Sequence, residues 1–156
     1  MKTTKVLKTD ISETTISDVS KKLITSSKNR VAICNANTLV RSVKNIEIRN
    51  SINSFSIKTP DCFPVAKALS FLTKNKFLRV DGYKLFLQTI SDGLKANTRH
   101  YFFGNNEETT LEMIKNLKIK FPNMKISGYI CPENLSADDL ASKYKDKFIK
   151  IDADIV

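Results

Sequence analysis

The sequence lacks long apolar runs. Its longest run is only a few residues, which is too short for a membrane-spanning helix. No apolar core follows residues 1–5, so we expect no secretory signal. The sequence has an odd number of cysteines, namely Cys34, Cys62 and Cys131. They lie far apart, and no two of them form a CxxC pair. They are expected to be reduced cytosolic thiols and neither disulfides nor zinc ligands.

Four catalytic motifs are also missing. The sequence contains no GxGxxG, no GxxxxGK[ST], no GxSxG and no HExxH. Their absence weighs against a dinucleotide-binding enzyme, a P-loop enzyme, a serine hydrolase and a zinc peptidase, respectively.

Charge and apolar content narrow the class of protein further. Regularly spaced apolar residues argue against disorder, and the 156 residues suit a single domain spanning 1–156. The 26 basic and 16 acidic residues give a net charge of +10. This excess favours anionic partners, which include nucleic acid, an acidic membrane face and phosphate-bearing small molecules. Because the basic residues form no dense tract, a lysine-rich solubilising surface explains the charge equally well.

The spacing of apolar residues predicts alternating strands and helices. Strands are expected at residues 30–34, 55–57, 100–103 and 125–129, with short pieces at 6–7 and 154–156. Helices are expected at residues 15–26, 39–46, 63–72, 83–94, 110–120 and 136–145. The repeated strand-then-helix order predicts an α/β, Rossmann-like fold, in which helices flank both faces of a mostly parallel sheet.

In such a sheet, ligands bind beyond the carboxyl ends of the strands. The polar turns at residues 35–37, 59–62 and 104–106, with the segment after residue 129, are therefore candidate sites. Asn35, Asn37 and Gly104 are candidate substrate-binding residues from these turns. The Asn35 amide could bind a sugar or a pyrophosphate, or it could cap the helix that follows.

Two charged residues are further candidates. Asp61 could act as a general base on a hydroxyl group, or it could cap the helix at residues 63–72. Arg79 could clamp a phosphate with its planar guanidinium, or it could form a surface ion pair with Asp81.

Three other polar residues carry weaker signals. His100 has no acidic or cysteine neighbour in the sequence, which makes a catalytic role a remote hypothesis. Asp152 and Asp154 have the DxD spacing that many glycosyltransferases use to hold a metal ion, but we interpret them as a solvated pair. The sequence therefore predicts no metal site.

Six short segments occur in order along the chain. They are AICNAN at 32–37, TPD at 59–61, RVDGYKLF at 79–86, YFFG at 101–104, FPNMKISG at 121–128 and DADIV at 152–156. Taken together, these segments resemble the WecG/TagA/CpsF glycosyltransferases (glycosyltransferase family 26). The resemblance covers residues 5–156, and the segments have family-like spacing.

The resemblance implies an inverting enzyme that needs no metal or other cofactor and works at the cytoplasmic face of the cell membrane. It would move a sugar, N-acetylmannosamine-type or a related hexose, from a UDP donor to a polyprenyl-diphosphate-linked sugar in polysaccharide or teichoic acid synthesis. Asp61 matches the family's general base, Asn35 an asparagine beside the nucleotide-sugar pocket, and Arg79 an arginine near the donor diphosphate. No nucleic acid is implied as a partner, and an unfinished sheet edge at residues 153–156 would permit a homo-oligomer.

The sequence also departs from the family pattern. Ile33 stands where the family often has threonine, and Cys62 stands where a glycine follows the aspartate. Because the PKQE motif is absent, we expect a single glycosyltransferase-like domain that lacks the family's C-terminal part. These departures favour an alternative, a catalytically weak or inactive nucleotide-binding module of the same fold. A third hypothesis, an RNA-binding domain, rests on charge alone.

Overall fold

A computed structural model describes residues 1–26 and 28–156 and divides the chain into two compact units, residues 1–89 and 90–156. The elements that begin in the first unit are β1 (Thr3–Val6), β2 (Thr9–Ser12), α1 (Ile16–Thr25), β3 (Val31–Cys34), α2 (Ala36–Lys44), α3 (Ile46–Asn53), β4 (Ile57–Pro60), α4 (Phe63–Thr73) and α5 (Gly82–Gly93). The elements that begin in the second unit are β5 (Arg99–Phe103), α6 (Glu107–Lys120), β6 (Lys125–Ile130) and α7 (Ala137–Ile149).

The first unit contains one antiparallel and one parallel pair of strands. Strands β1 and β2 form the antiparallel pair, whereas β3 and β4 run parallel in a register that places Cys34 beside Pro60. The backbone N–H of Lys58 donates to the Ser12 hydroxyl at 3.1 Å, which joins β4 to β2. Because β3 and β4 run parallel, their carboxyl ends lie side by side.

Three sequence-based expectations for the first unit need correction. The helix expected at residues 39–46 is two helices, because the backbone of Asn45 is extended and its side chain accepts from the N–H groups of Glu47 and Ile48. The strand expected at 55–57 lies at Ile57–Pro60, where all four residues are buried against their neighbours. Strand β2 was not expected, since its four residues are mostly polar.

Apolar residues of the first unit form two buried clusters. Leu69 of α4 is fully buried in the larger cluster, against residues from β1, β2, β3, α2 and α3. Val80, just before α5, is buried in the smaller cluster with Val19 and Ile57. The apolar spacing left Ser17 or Thr15 as the cap of α1, and Thr15 is the cap, since its hydroxyl accepts from the Asp18 N–H in a capping box.

The second unit is built on a parallel pair, β5 and β6. A side chain at Gly128 would place a Cβ 2.8 Å from the Tyr101 ring, so this close approach requires glycine. The expected final strand is present as a single parallel bridge between His100 and Ile155. The two C-terminal aspartates are exposed to solvent, as expected, and both carboxylates also form ion pairs with Arg99, which the sequence did not indicate.

The α/β class is confirmed, with helices flanking short parallel strand pairs. The sheets are small: each parallel pair in the described residues is a separate two-stranded sheet. The parallel register of β3 and β4 nevertheless produces an edge where two strands end together.

The packing of α4 makes a direct stability prediction. We expect Leu69→Ala to lower the free energy of unfolding by about 3 kcal/mol, because it leaves a cavity in the larger cluster. Leu72→Ala on the same helix is the matched control, since Leu72 is half exposed, and its effect should stay within about 0.5 kcal/mol. Urea unfolding measures both values. Equal losses in the two variants would contradict the packing described here.

Candidate functional site

The carboxyl ends of β3 and β4 form the candidate site. Asn35 follows β3 directly, and Asp61 follows β4 directly. The backbone N–H of Asp61 donates to the carbonyl of Cys34 at 3.1 Å, which holds these two turns together. The structure thus brings together two of the residues that the sequence singled out, at the edge where open α/β sheets bind ligands.

The side chain of Asp61 does not cap the helix that follows it. That helix, α4, has Cys62 at its N-cap with no side-chain hydrogen bond. The Oδ1 atom of Asp61 instead accepts from the backbone N–H of Gly82, at 3.1 Å, at the start of α5. Within the described residues no hydrogen bond reaches Oδ2, so this second oxygen of a half-buried carboxylate remains able to accept a proton.

Asn35 is the N-cap of α2, as one of the two sequence hypotheses expected. Its Oδ1 atom accepts from the backbone N–H of Thr38 at 2.9 Å and from the Thr38 hydroxyl at 3.1 Å. The cap uses the amide oxygen and leaves the Nδ2 donors for a ligand, so both hypotheses for Asn35 are compatible. Asn37, two residues further along the chain, is exposed on the first turn of α2.

Arg79 forms the ion pair with Asp81 that the sequence allowed. One guanidinium nitrogen lies 2.5 Å from Asp81 Oδ2, and the Arg79 side chain is about half exposed. The other oxygen of Asp81 accepts from the backbone N–H of Lys84 at 2.9 Å, so Asp81 both orients Arg79 and caps α5. Four of the five guanidinium N–H donors remain outside this contact.

Three helices begin at this edge. Helix α2 starts after Asn35, α4 starts after Cys62, and α5 starts at Gly82, which binds Asp61. The N-terminus of a helix carries partial positive charge and unpaired N–H donors, both of which favour anions. The edge therefore combines a carboxylate with a setting that attracts phosphate groups.

The residues that depart from the family pattern lie at the same edge. Ile33 is partly exposed, and its side chain lies against Gly82, where an added Cβ would be 3.4 Å away. Cys62 is half-buried at the N-cap of α4. The neighbouring Cys34, which is not one of the departures, is fully buried, and burial raises the pKa of its thiol to about 11, although the charge of Lys58 acts in the opposite direction. Such a thiol stays protonated and inert at neutral pH.

The remaining candidates lie in the second unit. Gly104 follows β5 with a φ of +132°, in a region that favours glycine, and its N–H donates to the carbonyl of Ile130.

His100 is buried, and burial lowers the pKa of its imidazole, although the charge of Asp154 acts in the opposite direction. Arg99 holds the pKa of Asp154 below its ordinary value. In the described part of the chain no cluster of three or more His, Cys, Asp or Glu residues could hold a metal ion.

A groove of about 980 Å³ adjoins the site on the first unit. It shares Arg79 and Asp81 with the site and runs between α4 and residues 76–81. Its apolar walls include Phe63 and Leu78, and its basic residues are Lys67, Lys76, Arg79 and Lys84. Sequence reasoning missed this groove and the contact between Asp61 and Gly82. One signal was available: Asp81 stands three residues before Lys84, as a helix cap would, and so marks the start of α5 beside the groove.

Comparison with known proteins identifies a family. The model of the glycosyl transferase WecG/TagA/CpsF family matches residues 4–156, which is essentially the whole chain. A search among curated proteins returned no significant match. Among residues 1–26 and 28–156, no helix has the length and apolar character needed to cross a membrane.

The two roles of Asn35 can be separated by substitution. We expect Asn35→Ala to lower the free energy of unfolding by about 1 kcal/mol, because the cap on the Thr38 N–H is lost. Asn35→Asp keeps an oxygen at the capping position and should retain the stability of the wild type. Thermal and urea unfolding measure the difference. An Asn35→Asp protein as unstable as Asn35→Ala would contradict the capping geometry.

Proposed function

The chain belongs to the WecG/TagA/CpsF glycosyltransferase family, and we propose that its substrates are a UDP-linked hexose and a polyprenyl-diphosphate-linked sugar. Membership indicates a glycosyltransferase in cell-surface polysaccharide synthesis. In our proposal the donor sugar is of the N-acetylmannosamine type or a related hexose, and transfer inverts the anomeric centre. The observation that carries the proposal is the free Oδ2 of Asp61 at an edge where three helices begin.

Asp61 is proposed as the general base. Its Oδ1 atom is held by the Gly82 N–H, so Oδ2 can take the proton from the acceptor hydroxyl. The acceptor oxygen then forms a bond to the anomeric carbon from the face opposite the leaving group. The bond between that carbon and the diphosphate oxygen breaks, and UDP leaves with the electron pair.

The donor diphosphate is proposed to lie between Arg79 and the first turn of α2. The guanidinium, oriented by Asp81, offers paired donors that match phosphate oxygens. The Nδ2 group of Asn35 and the N-terminal N–H groups of α2 add neutral donors. These groups would stabilise the negative charge that develops on UDP as the glycosidic bond breaks. We include Asn37 and Gly104 as further substrate-binding residues of the proposal.

The acceptor is proposed to be a membrane-anchored lipid, and the enzyme to work at the cytoplasmic face of the membrane. The groove beside Arg79 supports this, because apolar walls with basic residues suit a lipid that carries a diphosphate. Its shared residues, Arg79 and Asp81, connect it directly to the proposed donor site.

Substitution of Asp61 tests the proposal. Asp61→Asn keeps an oxygen for the Gly82 N–H but cannot act as a base, so we expect kcat to fall at least about a hundredfold. The Kd for UDP should stay within about twofold, since no phosphate contact is assigned to this side chain. A transfer assay with a UDP-sugar and a polyprenyl-diphosphate acceptor, together with calorimetric titration of UDP, measures both.

Asp146→Asn, at an exposed position on α7, is the control and should leave kcat unchanged. Undiminished transfer by Asp61→Asn would contradict the role of Asp61. UDP binding by a wild-type chain that transfers no sugar would favour the alternative, an inactive nucleotide-binding module of the same fold.

A further inference from the structure

One surface of the first unit includes four residues of the groove proposed for the acceptor, Phe63, Lys67, Lys76 and Leu78, and extends beyond that groove to Phe71 and Lys74. We propose that the exposed face of α4, together with the loop that follows it, docks on an anionic lipid bilayer. We call this surface the α4 face and define it as Phe63, Lys67, Phe71, Lys74, Lys76 and Leu78. The inference rests on the proposed function in one respect, namely that the acceptor is anchored in a membrane.

Helical geometry places an aromatic and basic stripe on one side of α4. Phe63, Lys67 and Phe71 follow one another at intervals of four residues, which align on a helix, and Lys74 follows them at the C-cap. The opposite side carries the buried Val65, Ala66 and Leu69, which pack into the core. The stripe is therefore the outer face of a helix whose inner face is fixed.

The apolar members of the α4 face are unusually exposed. Phe71 is 84% exposed, Leu78 is 73% exposed and Phe63 is 67% exposed. Phenylalanine and leucine are among the residues most often buried in folded proteins, and a cluster of them at the surface marks an interaction site. The ammonium of Lys67 lies 5.3 Å from the centre of the Phe63 ring, so basic and aromatic groups are in contact within the stripe.

Hydrogen bonds fix the loop beside the helix. The Ser70 hydroxyl of α4 accepts from the backbone N–H of Phe77 at 2.8 Å, and the Val80 N–H donates to the Pro60 carbonyl. Leu78 lies between these anchors. The groove that contains Arg79 and a second hollow that contains Phe71 share Ser70 and Lys76 in their walls. The surface is therefore continuous from Phe63 to Phe71.

Charge identifies the occupant. Residues 63–84 contain five basic side chains and a single acidic one, Asp81, which is already paired with Arg79. A second copy docked through the same face would bring the lysines of each copy against those of the other, which costs free energy. An anionic bilayer attracts the lysines and accepts the aromatic side chains at its interface, as it does for amphipathic helices that lie on membranes.

Docking through this face would serve transfer. Phe63 lies two residues beyond the proposed base Asp61, and the groove that Phe63 lines also contains Arg79. A bilayer in contact with the α4 face would therefore lie next to the proposed site, where a lipid-anchored acceptor is needed.

Vesicle flotation tests the proposal without any transfer reaction. The chain is mixed with vesicles of about seven parts phosphatidylcholine to three parts phosphatidylglycerol, or with phosphatidylcholine alone, and no acceptor is included. We expect partition onto the anionic vesicles only, weakened by added salt. Two double variants, Phe71→Ser with Leu78→Ser and Lys74→Gln with Lys76→Gln, should each lower the partition coefficient by at least about tenfold.

Matched controls come from α6. Ile119 is 71% exposed, and Lys115 and Lys118 are exposed on the same helix. Leu111→Ser with Ile119→Ser, and Lys115→Gln with Lys118→Gln, change the same numbers of exposed apolar and basic groups on a different helix, so each pair should change partition less than about twofold. Circular dichroism confirms that each variant is folded.

Three results would overturn the proposal. They are absence of wild-type binding to anionic vesicles, equal losses in the α4 and α6 variants, and a solution dimer that Leu78→Ser dissociates while vesicles remain unbound. Because the vesicles carry no acceptor, loss of binding in the α4 variants supports docking even if no sugar is transferred. Conversely, equal losses in the α4 and α6 variants, together with normal transfer to a short-chain acceptor, would overturn docking and leave the proposed function intact.

Discussion

The carboxylate of Asp61 accepts a hydrogen bond from the backbone N–H of Gly82, and the rest of the site depends on that contact. It ties the end of β4 to the start of α5, although 21 positions separate the two residues. The backbone of Asp61 is bound at the same time to Cys34 of the neighbouring strand. One residue thus joins two strand ends and a helix, while its second carboxylate oxygen stays open to a ligand. The base that we propose is held in place in this way, so it needs little reorganisation before it accepts a proton.

The same edge places a negative group where we propose that anionic substrates bind. A carboxylate alone would repel a diphosphate, but here the N-termini of α2, α4 and α5 begin around it. Arg79 is kept nearby by Asp81, whose other oxygen caps α5. Two acidic side chains therefore fix the geometry of a site whose remaining groups are N–H donors and cations. The basic excess of the chain extends to the α4 face, where Lys67 lies against the exposed ring of Phe63.

Local patterns predicted much of this arrangement. The alternation of apolar runs and polar turns predicted the α/β class, and the parallel order placed Asn35 and Asp61 at one edge. Asn45 shows where the reasoning failed, since one asparagine both ends α2 and caps α3, and apolar spacing runs across it. The hypothesis that Asp61 caps the helix after it was also wrong, because its carboxylate accepts from the Gly82 N–H instead. That contact depends on how the intervening residues fold back. The pairing of Arg99 with Asp152 and Asp154 was missed for the same reason. No local spacing encodes such long-range contacts.

Amide chemical shifts recorded during a UDP titration test the central claim, that a nucleotide binds at the joined ends of β3 and β4. The account predicts that the amides of Asn35, Asp61 and Gly82 shift together and saturate at one concentration of UDP. Arg79→Ala should raise that concentration by at least about tenfold, because a charge-assisted contact with phosphate is lost. Shifts confined to other parts of the chain, or an Arg79→Ala titration identical to that of the wild type, would contradict it.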